Sequence, residues 1–229
     1  MRPILTACAF AALAACSQPQ PAEKTAEKTA AAPAAPPAAA APEPVTAPAG
    51  LYTLDKAHST VTFRVSHIGF SNYVAGFDEL DGRLQFDPAN PATMSVEATI
   101  DVRSLDLPAP PAGFREEMLG PNWFDAGRHP TITFRSTRVE PTGARTARVT
   151  GDLTLHGVTR PVVLEATFNG GYPPNELDPG GARVGFSARG SFKRSDFGMG
   201  YGVPAPGTTM GVGDTVEVGI ETEFSRQVS

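Results

Sequence analysis

The chemistry open to this chain is limited by a few side chains. There are four histidines, His58, His67, His129 and His156, and two cysteines, Cys8 and Cys16. The histidines are far apart, with no pair at the short spacing typical of a metal site, so the sequence predicts no metal centre. Both cysteines lie in the first 16 residues, which leaves the remainder without a disulfide framework or a thiolate site. There is no Gly-x-Ser-x-Gly elbow, Walker loop or His-Glu-x-x-His. Gly198-Met199-Gly200-Tyr201-Gly202 lacks the strand-to-helix context of a dinucleotide site and reads as flexible backbone between two strands. No catalytic residue and no cofactor is predicted.

Three polar positions remain as candidates for contact with the polar end of a ligand. His67 follows Val61, Phe63 and Val65 in strand phase and would place a ring at the end of an apolar stripe. Arg194 and Asp196, in Lys193-Arg194-Ser195-Asp196-Phe197-Gly198, could meet a phosphate or quinone head, or could simply pair within a turn. His58 reads as a turn residue near Asp55 or Ser59, His156 as a hairpin tip, and Asp78, Glu79 and Asp81 as a solvated rim.

These residues must be held by strands. The body alternates with period two almost throughout, the signature of half-buried β-strands. Apolar residues recur at Val61, Phe63 and Val65, then at Leu80, Leu84 and Phe86, then at Met94, Val96, Ala98, Ile100 and Val102. The phase continues through Ile132 and Phe134, Leu153 and Leu155, Val162, Leu164 and Phe168, Val184 and Phe186, and finally Val216, Val218 and Ile220. Eight runs predict an up-and-down antiparallel barrel, which leaves no free sheet edge. Asp87-Pro88-Ala89-Asn90-Pro91 and His156-Gly157 read as turns. Phe114, Met118 and Leu119 have helical spacing before Pro121, so one or two short helices are expected between Phe114 and Asp125. Trp123, Phe124 and Phe114 could cover one mouth or pack as a short helix on the barrel. The inward candidates for ligand contact are Val61, Phe63, Val65, Phe86, Val96, Ile100, Ile132, Phe134, Leu153, Phe168, Phe186 and Val218, with Leu84, Leu155, Leu164, Val184 and Ile220 in the same phase.

Composition divides the 229 residues further. Residues 1–15 read as a signal segment: Met1-Arg2, then an apolar run too short to span a bilayer. The run ends in Leu13-Ala14-Ala15-Cys16, which resembles the lipobox of bacterial lipoproteins. That resemblance implies lipidation of Cys16 and a membrane anchor, and Ser17 favours the outer membrane under the enteric sorting rule. Residues 17–50 hold 13 Ala and 8 Pro in 34 positions. They cannot bury enough apolar surface to fold, so residues 16–50 read as a lipidated cysteine with a disordered tether. The tether's reach is between about 30 and 100 Å. The barrel domain is assigned to 51–229.

Charge narrows the partners. With 19 basic and 24 acidic side chains the net charge is −5, all of it on residues 51–229, which argues against nucleic acid. Alternation alone does not say which face is the lumen. Trp and Tyr total five, too few for the two aromatic girdles of a membrane barrel. Charged outer faces (Arg64, Glu97, Asp101, Arg103, Arg135) point the same way, to an apolar lumen.

Several strings recur in order: Tyr52-Thr53-Leu54-Asp55-Lys56-Ala57-His58-Ser59, His67-Ile68-Gly69-Phe70-Ser71, Phe86-Asp87-Pro88, Trp123-Phe124-Asp125 with His129-Pro130-Thr131-Ile132-Thr133-Phe134, Gly151-Asp152-Leu153-Thr154-Leu155-His156-Gly157-Val158-Thr159, and Arg194-Ser195-Asp196-Phe197-Gly198-Met199. Together they resemble the YceI-like family of bacterial secreted and periplasmic proteins, over about 51–226. The resemblance implies an all-β, eight-stranded antiparallel lipocalin-like β-barrel. It also implies an isoprenoid or quinone-like lipid in the lumen and a location in the periplasm. An envelope enzyme acting on a bound hydrophobic substrate, using His67 or Asp196, is the alternative. The anchor and tether depart from the family's usual free secretion.

Overall fold

The computed structural model describes residues 45–178 and 181–226. The expected signal segment, Cys16 and the tether through residue 44 lie outside the described residues.

Eleven β-segments build one sheet that closes on itself. Three pairs of segments run on from each other as bent staves. β1 (Gly50–Leu54) continues into β2 (Thr60–His67), β3 (Ser71–Phe77) into β4 (Leu80–Phe86), and β5 (Ser95–Asp101) into β6 (Leu105–Asp106). Two of the bends share a local cause. Asp55 Oδ1 accepts from the Ala57 N–H, and Asp101 Oδ1 accepts from the Arg103 N–H. Each aspartate thereby caps a single 3-10 turn and turns its strand without ending it. The remaining staves are β7 (Thr131–Pro141), β8 (Thr146–Leu155), β9 (Val158–Tyr172), β10 (Ala182–Lys193) and β11 (Val212–Arg226). Each stave pairs antiparallel with the next. β11 returns to the first stave through Val218↔Phe63 and Leu54↔Phe224, which closes an eight-stave barrel.

Up-and-down order sorts the connections to two ends. The 68–70 hairpin, the long segment 107–130, the His156-Gly157 turn and the loop 194–211 lie at one end, the cap. The 87–94 loop, the 142–145 hairpin and the segment 173–178 lie at the other, together with the entering chain. His156 (φ 51°) and Gly157 (φ 76°) are both left-handed, as a two-residue hairpin of right-handed twist requires. In the cap segment the only α-helix among the described residues is α1 (Phe114–Met118), as short as its spacing predicts.

Packing is dense at the cap and on the β1, β10 and β11 side of the opposite end. At the cap, Leu105, Leu107, Phe124, Leu155, Phe197 and Met199 are buried in one cluster. At the opposite end Tyr52, Phe86, Val184 and Phe224 form another, which includes Ala47. Residues 45–49, assigned to the tether on composition, lie against the barrel here. Ala47 is buried, the Tyr52 hydroxyl donates to the Pro48 carbonyl, and Arg226 donates to the Ala49 carbonyl.

Candidate functional site

Between these two clusters the barrel is hollow. The lumen has a volume of about 380 Å³ and a wall that is almost wholly apolar. Every stave contributes through its inward phase. Val61, Phe63 and Val65 come from the first stave and Phe86 from the second. Val96 and Ile100 come from the third, Ile132 and Phe134 from β7, and Leu153 from β8. Phe168 stands on β9, Phe186 on β10 and Val218 on β11. All twelve apolar residues selected from the sequence therefore stand on the wall, with Leu84, Leu155, Leu164 and Ile220. Val184 does not; it is 1% exposed and belongs to the buried cluster beside the mouth.

The wall differs from a filled core in one respect. Val61, Phe63, Ile100, Phe134, Phe168 and Val218 keep intermediate exposure although they point inward from the middle of a closed sheet. A filled core would bury them as fully as Tyr52 or Phe197. Their exposed surface faces empty space.

Local sequence makes that space. Ala147, Ala166 and Ala188 lie in register on the neighbouring strands β8, β9 and β10. This belt of methyl groups hollows one side of the wall. Gly151 has a similar effect, because a Cβ there would lie 2.3 Å from Phe134 Cζ and 2.7 Å from the Arg135 carbonyl. Its absence lets the Phe134 ring lie back against the sheet. Aromatic rings thicken the wall away from the cap, with Phe168 5.8 Å from Phe86 and 5.3 Å from Phe186. On that side the lining reaches loop residues: Pro88, Pro91 and Met94 on one connection, and Pro141, Gly143, Ala144, Arg145 and Thr146 on another. This loop-lined end is the mouth.

The cap end is closed by Met118, Trp123, Phe124 and Met199. Arg194 organises it. Its Nε donates to the Gly213 carbonyl, Nη1 to those of Met199 and Tyr201, and Nη2 to that of Val212, at 2.7–3.0 Å. The guanidinium carbon sits 5.5 Å from the Trp123 ring centre. Burial pulls this group below the usual arginine range. The Gly198–Gly202 run, expected to be flexible, is thus pinned by its own carbonyls. Arg194 spends four of its five N–H donors on backbone, so its role is mainly to build the cap. Trp123 is 8% exposed, and its indole Nε1 is buried without a protein partner.

The other two head-group candidates lie away from the lumen wall. His67 ends β2 level with Val212 and is exposed at the rim, where the chain turns through Ile68 and Gly69. Asp196 lies in the 3-10 turn Arg194–Phe197. Three residues per turn put Arg194 and Phe197 on the inner side and leave Asp196 outside. Its neighbour Ser195 is held by Asp214 through both backbone N–H and hydroxyl.

His58 bonds Asp55 at 3.0 Å, as its turn position predicts. The sequence did not suggest that Arg183 joins them, bonding Asp55, Asp178 and Glu223. The His58 bond, then Arg183 and the Ala57 N–H, hold the Asp55 carboxyl down to about 2, against desolvation. Asp55 in turn raises His58. This network ties β1 and β11 to the loop after β9 and lies away from the lumen.

Comparison with known proteins agrees with this geometry. A family model described as a YceI-like domain matches residues 52–224. A UPF0312 protein of Pseudomonas putida strain W619 is 36% identical over 184 residues, covering 79% of this chain and 89% of the relative. One from Vibrio cholerae is 38% identical over 159 residues, covering 68% and 81%. Among solved structures, Burkholderia cenocepacia BcnA superposes with a TM-score of 0.63 at 29% identity, covering 74% of this chain and 98% of that one. A Saccharophagus degradans domain described as polyisoprenoid binding gives 0.54 at 16% identity, covering 76% and 97%, a likeness of fold.

Proposed function

The chain is a member of the YceI-like family, and from that premise we propose that it binds one slender, long-chain amphiphile of isoprenoid type in the barrel lumen. The observation that carries this reading is the continuous apolar hollow from cap to mouth. A volume of about 380 Å³ is at the small end of ligand sites, which run about 300–1,000 Å³. A long prenyl tail therefore fits only with its far end at the mouth or with shifts of wall side chains. The polyisoprenoid-binding description of the Saccharophagus degradans domain supports the ligand class.

The cap end supports a narrower reading of the head group. Trp123 Nε1 offers a buried hydrogen-bond donor beside the lumen, while Arg194 has little donor capacity left for an anion. This favours a neutral acceptor, a quinone carbonyl or a hydroxyl, over a pyrophosphate. Delipidated protein titrated with a quinone bearing a short prenyl tail tests it. Trp123→Phe should weaken the quinone about tenfold, the worth of one buried hydrogen bond. It should leave a headless hydrocarbon of equal length unchanged. Equal losses for both ligands would place the head elsewhere.

The non-enzymatic reading is supported by a wall that is almost wholly apolar among the described residues, with His67 and Asp196 both away from it. Carriage or sequestration in the cell envelope, with Cys16 lipidated and the protein facing the periplasm, completes the proposal. Its support is the Leu13-Ala14-Ala15-Cys16 string and the entry of the chain at the mouth end. Cys16→Ala should move the protein from the membrane to the soluble fraction; retention in the membrane would refute the anchor.

A further inference from the structure

Three side chains that the sequence scatters meet at the cap. Asp125 and His129 belong to the turn that follows Trp123-Phe124, and His156 opens the turn between β8 and β9. One donor atom from each lies within 4.8 Å of the other two. The two imidazole rings are 4.9 Å apart, centre to centre. Asp125 is 8% exposed, and His156 Nε2 is buried with no protein partner. A buried nitrogen left unmatched is costly and calls for an explanation.

The backbone favours the meeting. Gly157 has no side chain, and a Cβ there would come within 2.5 Å of the His129 ring, so bare backbone lets that ring lie against the turn. Asp125 (φ 46°) and His156 (φ 51°) both hold left-handed conformations that cost a non-glycine residue energy.

A carboxylate with two imidazoles is a donor set for first-row divalent ions, above all zinc, with a fourth position open to water. Tetrahedral zinc wants its donors about 3.4 Å apart, so small side-chain rotations complete the site. The competing cation is Arg128, 3.3 Å from the Asp125 carboxylate; its side chain is 80% exposed and can swing into solvent. The other cluster of this kind among the described residues, Asp55, His58 and Glu223, already holds the Arg183 guanidinium.

We propose that Asp125, His129 and His156 form a zinc-class metal site that fastens the cap to the barrel wall. Trp123 and Phe124, directly before Asp125, close the lumen, and Leu155, directly before His156, lines it. A bound ion joins these two elements and locks the closed end. The proposal does not depend on which lipid the lumen takes.

The test uses the full chain, purified without an affinity tag, stripped with chelator and titrated with Co²⁺ and Zn²⁺. The expected result is one tight equivalent, with visible Co²⁺ absorption of a four-coordinate site that Zn²⁺ bleaches. His156→Gln and His129→Phe should each weaken binding at least 100-fold, since even outer-shell partners are worth about 10–100-fold. A readout independent of variants is the imidazole NMR of the wild type. Co²⁺ should broaden His129 and His156 and spare His58 and His67. No binding by the wild type, unchanged binding by both variants, or broadening centred on His58 would each overturn the proposal.

Discussion

Filling the alanine belt separates a hollow barrel from a merely apolar one. Ala166 stands at its centre, flanked in register by Ala147 and Ala188, and all three line the lumen. Ala166→Phe adds a phenyl ring pointing inward. An apolar cavity of about 150 Å³ holds one benzene, so the ring would take roughly two-fifths of the 380 Å³ present. It would displace at least one five-carbon isoprene unit. That unit is worth about 3–4 kcal/mol at about 0.8 per methylene. At 1.4 kcal/mol per decade, affinity should fall about 100- to 1,000-fold. The free protein should respond in the opposite direction. Burying the ring in empty apolar space should stabilise it by about 1.5–3 kcal/mol, where a filled core would lose about 1–3 to overpacking. Calorimetric titration with a short-chain prenyl quinone and urea unfolding give the two numbers. Wild-type affinity together with lowered stability would show that the belt faces packed protein, and the account of the lumen would fail.

Other expectations concern the frame that keeps the lumen open. Arg194→Met leaves four cap carbonyls without their donor and should cost about 3–5 kcal/mol in urea unfolding; a loss under 1 kcal/mol would deny Arg194 its organising role. Gly151→Ala sets a methyl against Phe134 and the Arg135 carbonyl, and should lower stability by about 1–3 kcal/mol while pushing the Phe134 ring into the ligand space. Acid should loosen the Asp55 network. Its folded-state pKa is depressed to about 2, so its contribution of about 1–2 kcal/mol is complete above the unfolded value near 4 and disappears as pH falls toward 2. Asp55→Asn should flatten the stability profile in that window, and an unchanged profile would count against the pairing. His58 has the opposite sign: its folded pKa is raised, so its share is present at low pH and fades as pH rises through that value.

Much of the barrel was legible because strand phase repeats every two residues and one face must be apolar. Val61–Val65, Met94–Val102 and Val216–Ile220 each declared a stave, and eight such runs matched eight staves. The segment β3 was harder to see. Tyr73, Ala75 and Phe77 are its inward residues, but outward Val74 and the glycine beside Phe77 blur the alternation. The bends at Asp55 and Asp101 were hidden for another reason. An aspartate that caps its own strand break looks like any polar outward residue until the Ala57 or Arg103 N–H is seen on it.

The wall residues could be read from phase, but the closed end could not. Arg194 in the 193–198 run reads as a cation for a polar head or as a turn partner of Asp196. Its burial depends on the carbonyls of Val212 and Gly213, 18 and 19 residues on, which no local pattern announces. His129 and His156 are 27 positions apart, and only the closure of β7 and β8 sets their rings together. Ala47 matches its tether by composition, yet it is buried beside Gly171, where a Cβ would stand 3.2 Å from it. In each case the missing information is a long-range contact.

A native mass spectrum of the full chain, purified gently and then extracted with organic solvent, bears most directly on the lumen. A hollow, ligand-binding lumen should yield one non-covalent, chain-bearing amphiphile per protein, released on extraction, re-acquired from octaprenyl or quinone ligands, and absent from Ala166→Phe. A wild-type protein that is uniformly empty and takes up neither ligand would contradict it.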